Sequence, residues 1–257
     1  MSRYWLLLVL LFISASGIYA DQSDFLILQP RLASSVYEDV RDTSCHAFNL
    51  ETWKSSWPYL VALTGIYLND EKIDSELKNI FRPDYSTHHW DEYLYLAWGG
   101  MYVLGREYDK KVAIELLEAL ADTEIMVNSM KKIFSRVRPH LNKGAYIFEG
   151  PFGPDSNYNS FPSFHACWVY SWATILSREY NQPLLYYGIA TYYMYTKPYE
   201  HNHWMSDLAF STAIGIYLGN MVLDRANSTL KDQGSKGWGV LPLFDEDKIG
   251  IAISKIL

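Results

Sequence analysis

Apolar residues recur at helical intervals through most of this chain. The longest such pattern runs from Asp109 to Phe134, where Ala113, Leu116, Leu117, Leu120, Ile125 and Met126 mark one buried helix face. Shorter apolar stretches predict helices over residues 56–68, 90–104, 163–178, 183–195 and 203–223. Gly105 reads as the C-cap of the second of these. Residues 70–87 are charged and polar around Pro83 and read as a surface connection. Residues 139–162 are rich in Gly, Pro and Asn, which predicts a long ordered loop of the kind that borders active sites. From Trp238 onward, alternation around Phe244–Asp247 suggests a small hairpin. With no internal repeat or linker, the pattern predicts an all-α, single-domain helical bundle with a small C-terminal β-hairpin.

The first twenty residues stand apart from this pattern. Arg3 precedes an apolar run from Tyr4 to Ile13, followed by small residues and Ala20. That is the form of a secretory signal peptide cleaved near Ala20, leaving 21–257 as a periplasmic or secreted domain. An uncleaved anchor is the alternative reading of the same residues. The longest uncharged stretch beyond it, Leu208 to Leu223, is sixteen residues long. A spanning helix needs about 20, so the mature chain is expected to be soluble, with peripheral membrane contact at most.

The 257 residues carry a formal charge of −7, which gives no support to nucleic-acid binding. Any anion site must therefore focus its cations locally. Cys45 and Cys167 lack metal-ligand spacing. They could pair in an exported protein, or Cys167 could be a buried thiol.

Three segments carry candidate chemistry. His203 and Asp207 are four residues apart, and on a helix such residues share a face. Asp207 is then expected to hold one ring nitrogen of His203 and leave the other as a nucleophile. Pro162-Ser163-Phe164-His165 supplies a second imidazole at a helix start, beside outward-pointing N–H groups. The Ser163 hydroxyl fits either an anion donor or a helix cap. Lys131 lies seven residues before Arg138-Pro139, so both cations can point to one side. The same pair, with Lys132 and Arg136, also fits a solvated basic helix end. Together these groups suit a phosphate. His88-His89 and His201-Asn202-His203 lack a third ligand at metal spacing, so no metal is assigned, and His201 reads as a pocket-edge or solvent residue. Tyr158, Tyr195 and Tyr199 are candidates for an aromatic rim.

In order and spacing, the three segments resemble the signature of the type 2 phosphatidic acid phosphatase superfamily, which also holds bacterial class A acid phosphatases and vanadium haloperoxidases. That signature reads K-x6-R-P, P-S-G-H and S-R-x5-H-x3-D. The first part is complete in Lys131, Arg138 and Pro139; the second has Phe164 in place of glycine. The third has Thr196-Lys197 in place of Ser-Arg, with His203 and Asp207 in register. The resemblance implies a helical core and cofactor-free hydrolysis of a phosphate ester through a phosphohistidine. His203 would be the nucleophile, Asp207 its orienting group and His165 the general acid. Lys131, Arg138, Ser163, Phe164 and Lys197 would surround the phosphoryl oxygens. Phe164 adds bulk where glycine lets the backbone approach the anion, and Lys197 lacks the planar fork of arginine. Reduced or redirected activity is the expected result. Lipid phosphates, isoprenoid diphosphates, nucleotides and sugar phosphates all remain candidate substrates. Two other readings share the same residues: a non-catalytic phosphate or anionic-lipid binding protein of the envelope, and a vanadate-dependent haloperoxidase.

Overall fold

The computed structural model describes residues 50–80, 90–153, 155–195, 201–233, 238–245 and 248–255. The leader, Cys45, Pro83, His88-His89, Thr196-Lys197 and Tyr199 lie outside the described residues. Among those described are seven α-helices: α1 (Leu50–Tyr67), α2 (Asp70–Ile80), α3 (Trp90–Leu104), α4 (Glu107–Phe134), α5 (Phe164–Tyr180), α6 (Pro183–Tyr195) and α7 (Met205–Gln233). Strands β1 (Trp238–Asp245) and β2 (Lys248–Lys255) pair antiparallel, with Trp238 opposite Lys255. The architecture of the helical region is all-α, as the apolar pattern predicts.

One predicted connection is a helix. DEKIDSELKNI forms α2, with Asp70 and Glu71 in its first turn. Acidic residues there complement the helix dipole, and Ile73 and Leu77 repeat at helical spacing among the charges. A polar composition hid a narrow apolar stripe. Gly105 directly follows α3, as expected of its C-cap, and its N–H donates to the Met101 carbonyl at 3.1 Å. A Cβ there would stand 2.1 Å from the Met101 carbonyl oxygen and 2.6 Å from Asp109 Cβ.

At the centre lies α5, apolar on nearly all sides, with Ala166, Cys167, Trp168 and Ile175 fully buried. It packs on α4, α6 and α7. Backbone geometry frames it: Ser163 precedes its first turn, and Asn181 ends it in the left-handed conformation at φ 52°. Cys167 is a free buried thiol whose Sγ lies 3.9 Å from Thr123 Oγ1. Burial pushes that thiol up to about 12, so it stays protonated and inert.

α5 and α7 run in the same direction at close range. The Ser163 N–H donates to Ser211 Oγ at 2.7 Å. Further along, a Cβ on Gly215 would lie 2.3 Å from the Cys167 carbonyl oxygen, and one on Gly219 would lie 2.6 Å from that of Ser171. Only glycine permits this approach. The long loop before α5 carries short 3-10 turns at Pro139–Leu141 and Ser156–Tyr158 and folds back through a bridge between Arg136 and Phe148. Among the described residues no helix is long and apolar enough to cross a membrane.

Candidate active site

His203 stands two residues before α7 begins, so the same-face rule that applies within a helix does not reach it. The expected bond from Asp207 to His203 is absent. His203 Nδ1 instead donates to the Ser160 carbonyl at 2.6 Å. A carbonyl only accepts, so the proton is fixed on Nδ1 and the Nε2 lone pair is left free. Burial holds the His203 pKa well below its ordinary value, and the nearby Lys131, Arg138 and His165 charges reinforce the shift. The ring is neutral at pH 7, as a nucleophile must be. It borders a shallow pocket shared with Ile73, Asp74, Leu77, Met205 and Leu208.

Asp207 turns the other way. At the third position of α7, its Oδ2 accepts the Trp204 N–H at 2.9 Å, the return half of a capping box. The same oxygen accepts from Ser160 Oγ at 2.5 Å, while Oδ1 accepts from Arg136 at 2.5 Å. Burial pushes the Asp207 carboxyl up, against the pull of Arg136. Asp207 thus reaches His203 indirectly, by holding the residue whose carbonyl holds the ring.

Arg136 was grouped with a solvated basic helix end, yet it is 1% exposed. Nε and Nη2 donate to the Ala145 carbonyl at 2.9 and 2.7 Å, and Nη2 also reaches Asp70 Oδ2 at 2.8 Å. Nη1 donates to Ser206 Oγ at 2.8 Å and to Asp207. Every N–H of the guanidinium is used. The rings of Tyr67, Phe148 and Trp204 surround it at 5.1 to 5.7 Å. One cation thereby joins α2, the long loop and the start of α7.

His165 lies in the first turn of α5, where the sequence places it. Its Nε2 lies 3.1 Å from Asp91 Oδ2, and Tyr193 donates to the other oxygen of that carboxylate. With Nε2–H held by Asp91, Nδ1 is the ring atom that carries the exchangeable proton. The sequence reading missed Asp91 and Tyr193, which come from α3 and α6 and bear no fixed spacing to His165.

Among the cations, burial and the Arg138 charge push the Lys131 ammonium down to about 8. Arg138 is half-buried; its Nε donates to the Ser156 carbonyl at 3.0 Å and its Nη1 to that of Asn202 at 3.3 Å. Ser163 makes no side-chain cap bond, and its buried Oγ has no hydrogen-bond partner among the described residues. An unpaired buried hydroxyl costs about 1–3 kcal/mol, so an anion donor fits better than a cap.

At Phe164, where the motif has glycine, the side chain turns away from solvent. It is 3% exposed and packs into the core, 6.0 Å from the Trp168 ring. Tyr158 is likewise packed rather than part of a rim, its hydroxyl accepting from Lys143 Nζ at 2.8 Å. His201 is half-buried and pairs with Asp74 at 3.2 Å. Among the described residues no group of acidic, His or Cys side chains could hold a metal ion.

Residues 112–228 match the model of the PAP2 superfamily. A lipid A 1-phosphatase from Porphyromonas gingivalis is 31% identical over 87 residues, covering 32% of this chain and 19% of that relative. The chain thus aligns with about a fifth of the relative's length. No solved structure matches.

Proposed function

We propose that this chain, whose residues 112–228 match the PAP2 superfamily model, hydrolyses phosphate monoesters through a phosphohistidine at His203. The observation that carries this reading is the 2.6 Å bond from His203 Nδ1 to the Ser160 carbonyl, which leaves a neutral Nε2 near the half-buried cations Lys131 and Arg138. Nε2 attacks phosphorus and the P–O ester bond breaks. The leaving oxygen takes the His165 proton and departs as an alcohol. Water then attacks phosphorus as His165 accepts its proton, the N–P bond breaks, and inorganic phosphate leaves. Lys131, Arg138 and the Ser163 hydroxyl offset the charge on the phosphoryl oxygens. Asp91 orients the acid, and Asp207 supports the nucleophile through Ser160.

The test is hydrolysis of a chromogenic phosphomonoester, inhibited by orthovanadate and unaffected by a chelator. Phosphate binding without turnover would support a binding protein instead. The pH profile adds a sharper check. Below about 8 Lys131 is a cation in the free protein, and above it the charge is lost. A charge-assisted bond contributes roughly 1.5–3 kcal/mol, so kcat/KM should fall by roughly ten- to a hundredfold on the alkaline side. Lys131→Arg should move that limb out of range. An unchanged limb in this variant assigns it to another group.

We also propose that the leader directs export. The mature chain should begin near Asp21 and be recovered in a periplasmic or culture fraction. Recovery only after detergent extraction would overturn this.

A further inference from the structure

His165 is held by more than its own helix. Its ring lies among three aromatic rings: Phe164 edge-on at 5.7 Å, Tyr193 at 6.3 Å and Trp168 at 6.5 Å. Tyr95, one helical turn beyond Asp91 on α3, stacks on Trp168 at 5.0 Å. Within this apolar frame the imidazole meets Asp91 at 3.1 Å, and Tyr193 donates to the other carboxylate oxygen. The two partners differ in freedom. The Asp91 side chain is 32% exposed, whereas Tyr193 is 1% exposed and packed in the core. A partly exposed carboxylate can turn toward water. One whose second oxygen accepts from a buried phenol cannot turn without breaking that bond. Neither residue belongs to the three-part signature, and Asp91 precedes the residues that match the PAP2 superfamily model.

We propose that Tyr193 is a positioning residue for the acid step, acting through Asp91 on His165. This rests on the phosphatase reading above. When the ester P–O bond breaks, its electron pair goes to the leaving oxygen, which takes the proton from His165 Nδ1. The Nε2 proton stays between the ring and Asp91, which remains a carboxylate. Tyr193 moves no proton. Its hydroxyl fixes the angle at which Asp91 holds Nε2–H, and thereby the direction in which Nδ1–H points. A proton delivered off line matters most where the leaving oxygen is strongly basic. An alkoxide needs that proton to depart, whereas p-nitrophenolate, a weak base, leaves without it.

The test compares kcat/KM for ethyl phosphate and p-nitrophenyl phosphate, because that quantity reports the step in which the ester bond breaks. Tyr193→Phe keeps the buried ring and removes the hydroxyl. It should lower the ethyl-to-p-nitrophenyl ratio by roughly tenfold, the scale of one charge-assisted hydrogen bond felt in the transition state. His165→Ala should lower the ratio further, by roughly a hundredfold or more. Adding Tyr193→Phe to His165→Ala should then leave the ratio where it is, as expected of a residue that acts through the imidazole. Circular dichroism checks the fold of each variant. An unchanged ratio in Tyr193→Phe, whether or not both rates fall, would make the hydroxyl merely structural and overturn the proposal. A further loss of ratio in the double variant would overturn it too, and so would a parent protein that turns over the aryl ester alone. In each of these cases the phosphatase reading stands. Hydrolysis of neither ester by the parent protein would remove that reading, and the proposal with it.

Discussion

His203→Ala should leave no acid-labile phosphate on the chain after brief incubation with labelled substrate and an alkaline quench. Turnover should fall by roughly four orders of magnitude or more, the scale seen when a covalent nucleophile is removed. No neighbour can take its place. His165 has Nε2 committed to Asp91, and Ser163 offers a hydroxyl with no base hydrogen-bonded to it among the described residues. Asp207→Asn provides the contrast. Because the Ser160 carbonyl rather than Asp207 fixes the His203 tautomer, this variant should keep labelling and lose stability more than chemistry. Full labelling of His203→Ala would sink the phosphohistidine mechanism, and labelling lost in Asp207→Asn at unchanged stability would sink the positional account.

Arg136→Ala should be the most destabilising single change in the site region. It leaves Asp70 and Asp207, both fully buried, without their cation. Breaking a buried pair from one side costs about 3–5 kcal/mol, a large part of the ~5–15 kcal/mol that holds a domain together. For a chain of this size that is a fall in Tm of roughly 6–20 °C. Arg136→Lys should lie between, since three donors cannot replace a five-donor fork. Thermal unfolding followed by circular dichroism decides it. A Tm within about 2 °C of the parent would mean that water and relaxation replace the guanidinium.

The sequence made the long helices legible because their apolar spacing is local: α3 and α6 have the predicted limits, and α4 differs only at its start. The three motif segments hold His203, His165, Lys131 and Arg138, and the fold brings their charges within reach of one another. What escaped was non-local. Asp70 and Arg136 are 66 residues apart and Asp91 and Tyr193 are 102 apart, distances over which spacing carries no information. Arg136 looked like one more surface cation because charge alone does not reveal burial. Asp207 was assigned to His203 on a correct rule applied two residues outside its range. The burial of the Phe164 side chain was hidden for a different reason, since a motif position does not tell which way its side chain turns. Expectations about Lys197, the leader and Cys45 concern residues outside those described.

The glycine contacts between α5 and α7 bear on how much sequence change this fold can absorb. Gly215 and Gly219 bring the two helices together until main chain limits the approach, so the spacing of the helix bearing His165 from the one that follows His203 is set by backbone. Side chains of other sizes elsewhere cannot adjust that distance gradually. Helices α3 and α6 are free of this restraint, being partly exposed and packed through side chains. Outside Asp91 and Tyr193, substitutions on α3 and α6 can therefore accumulate while the distance between the helix bearing His165 and the one that follows His203 stays fixed, so the periphery of this fold can vary without moving either histidine.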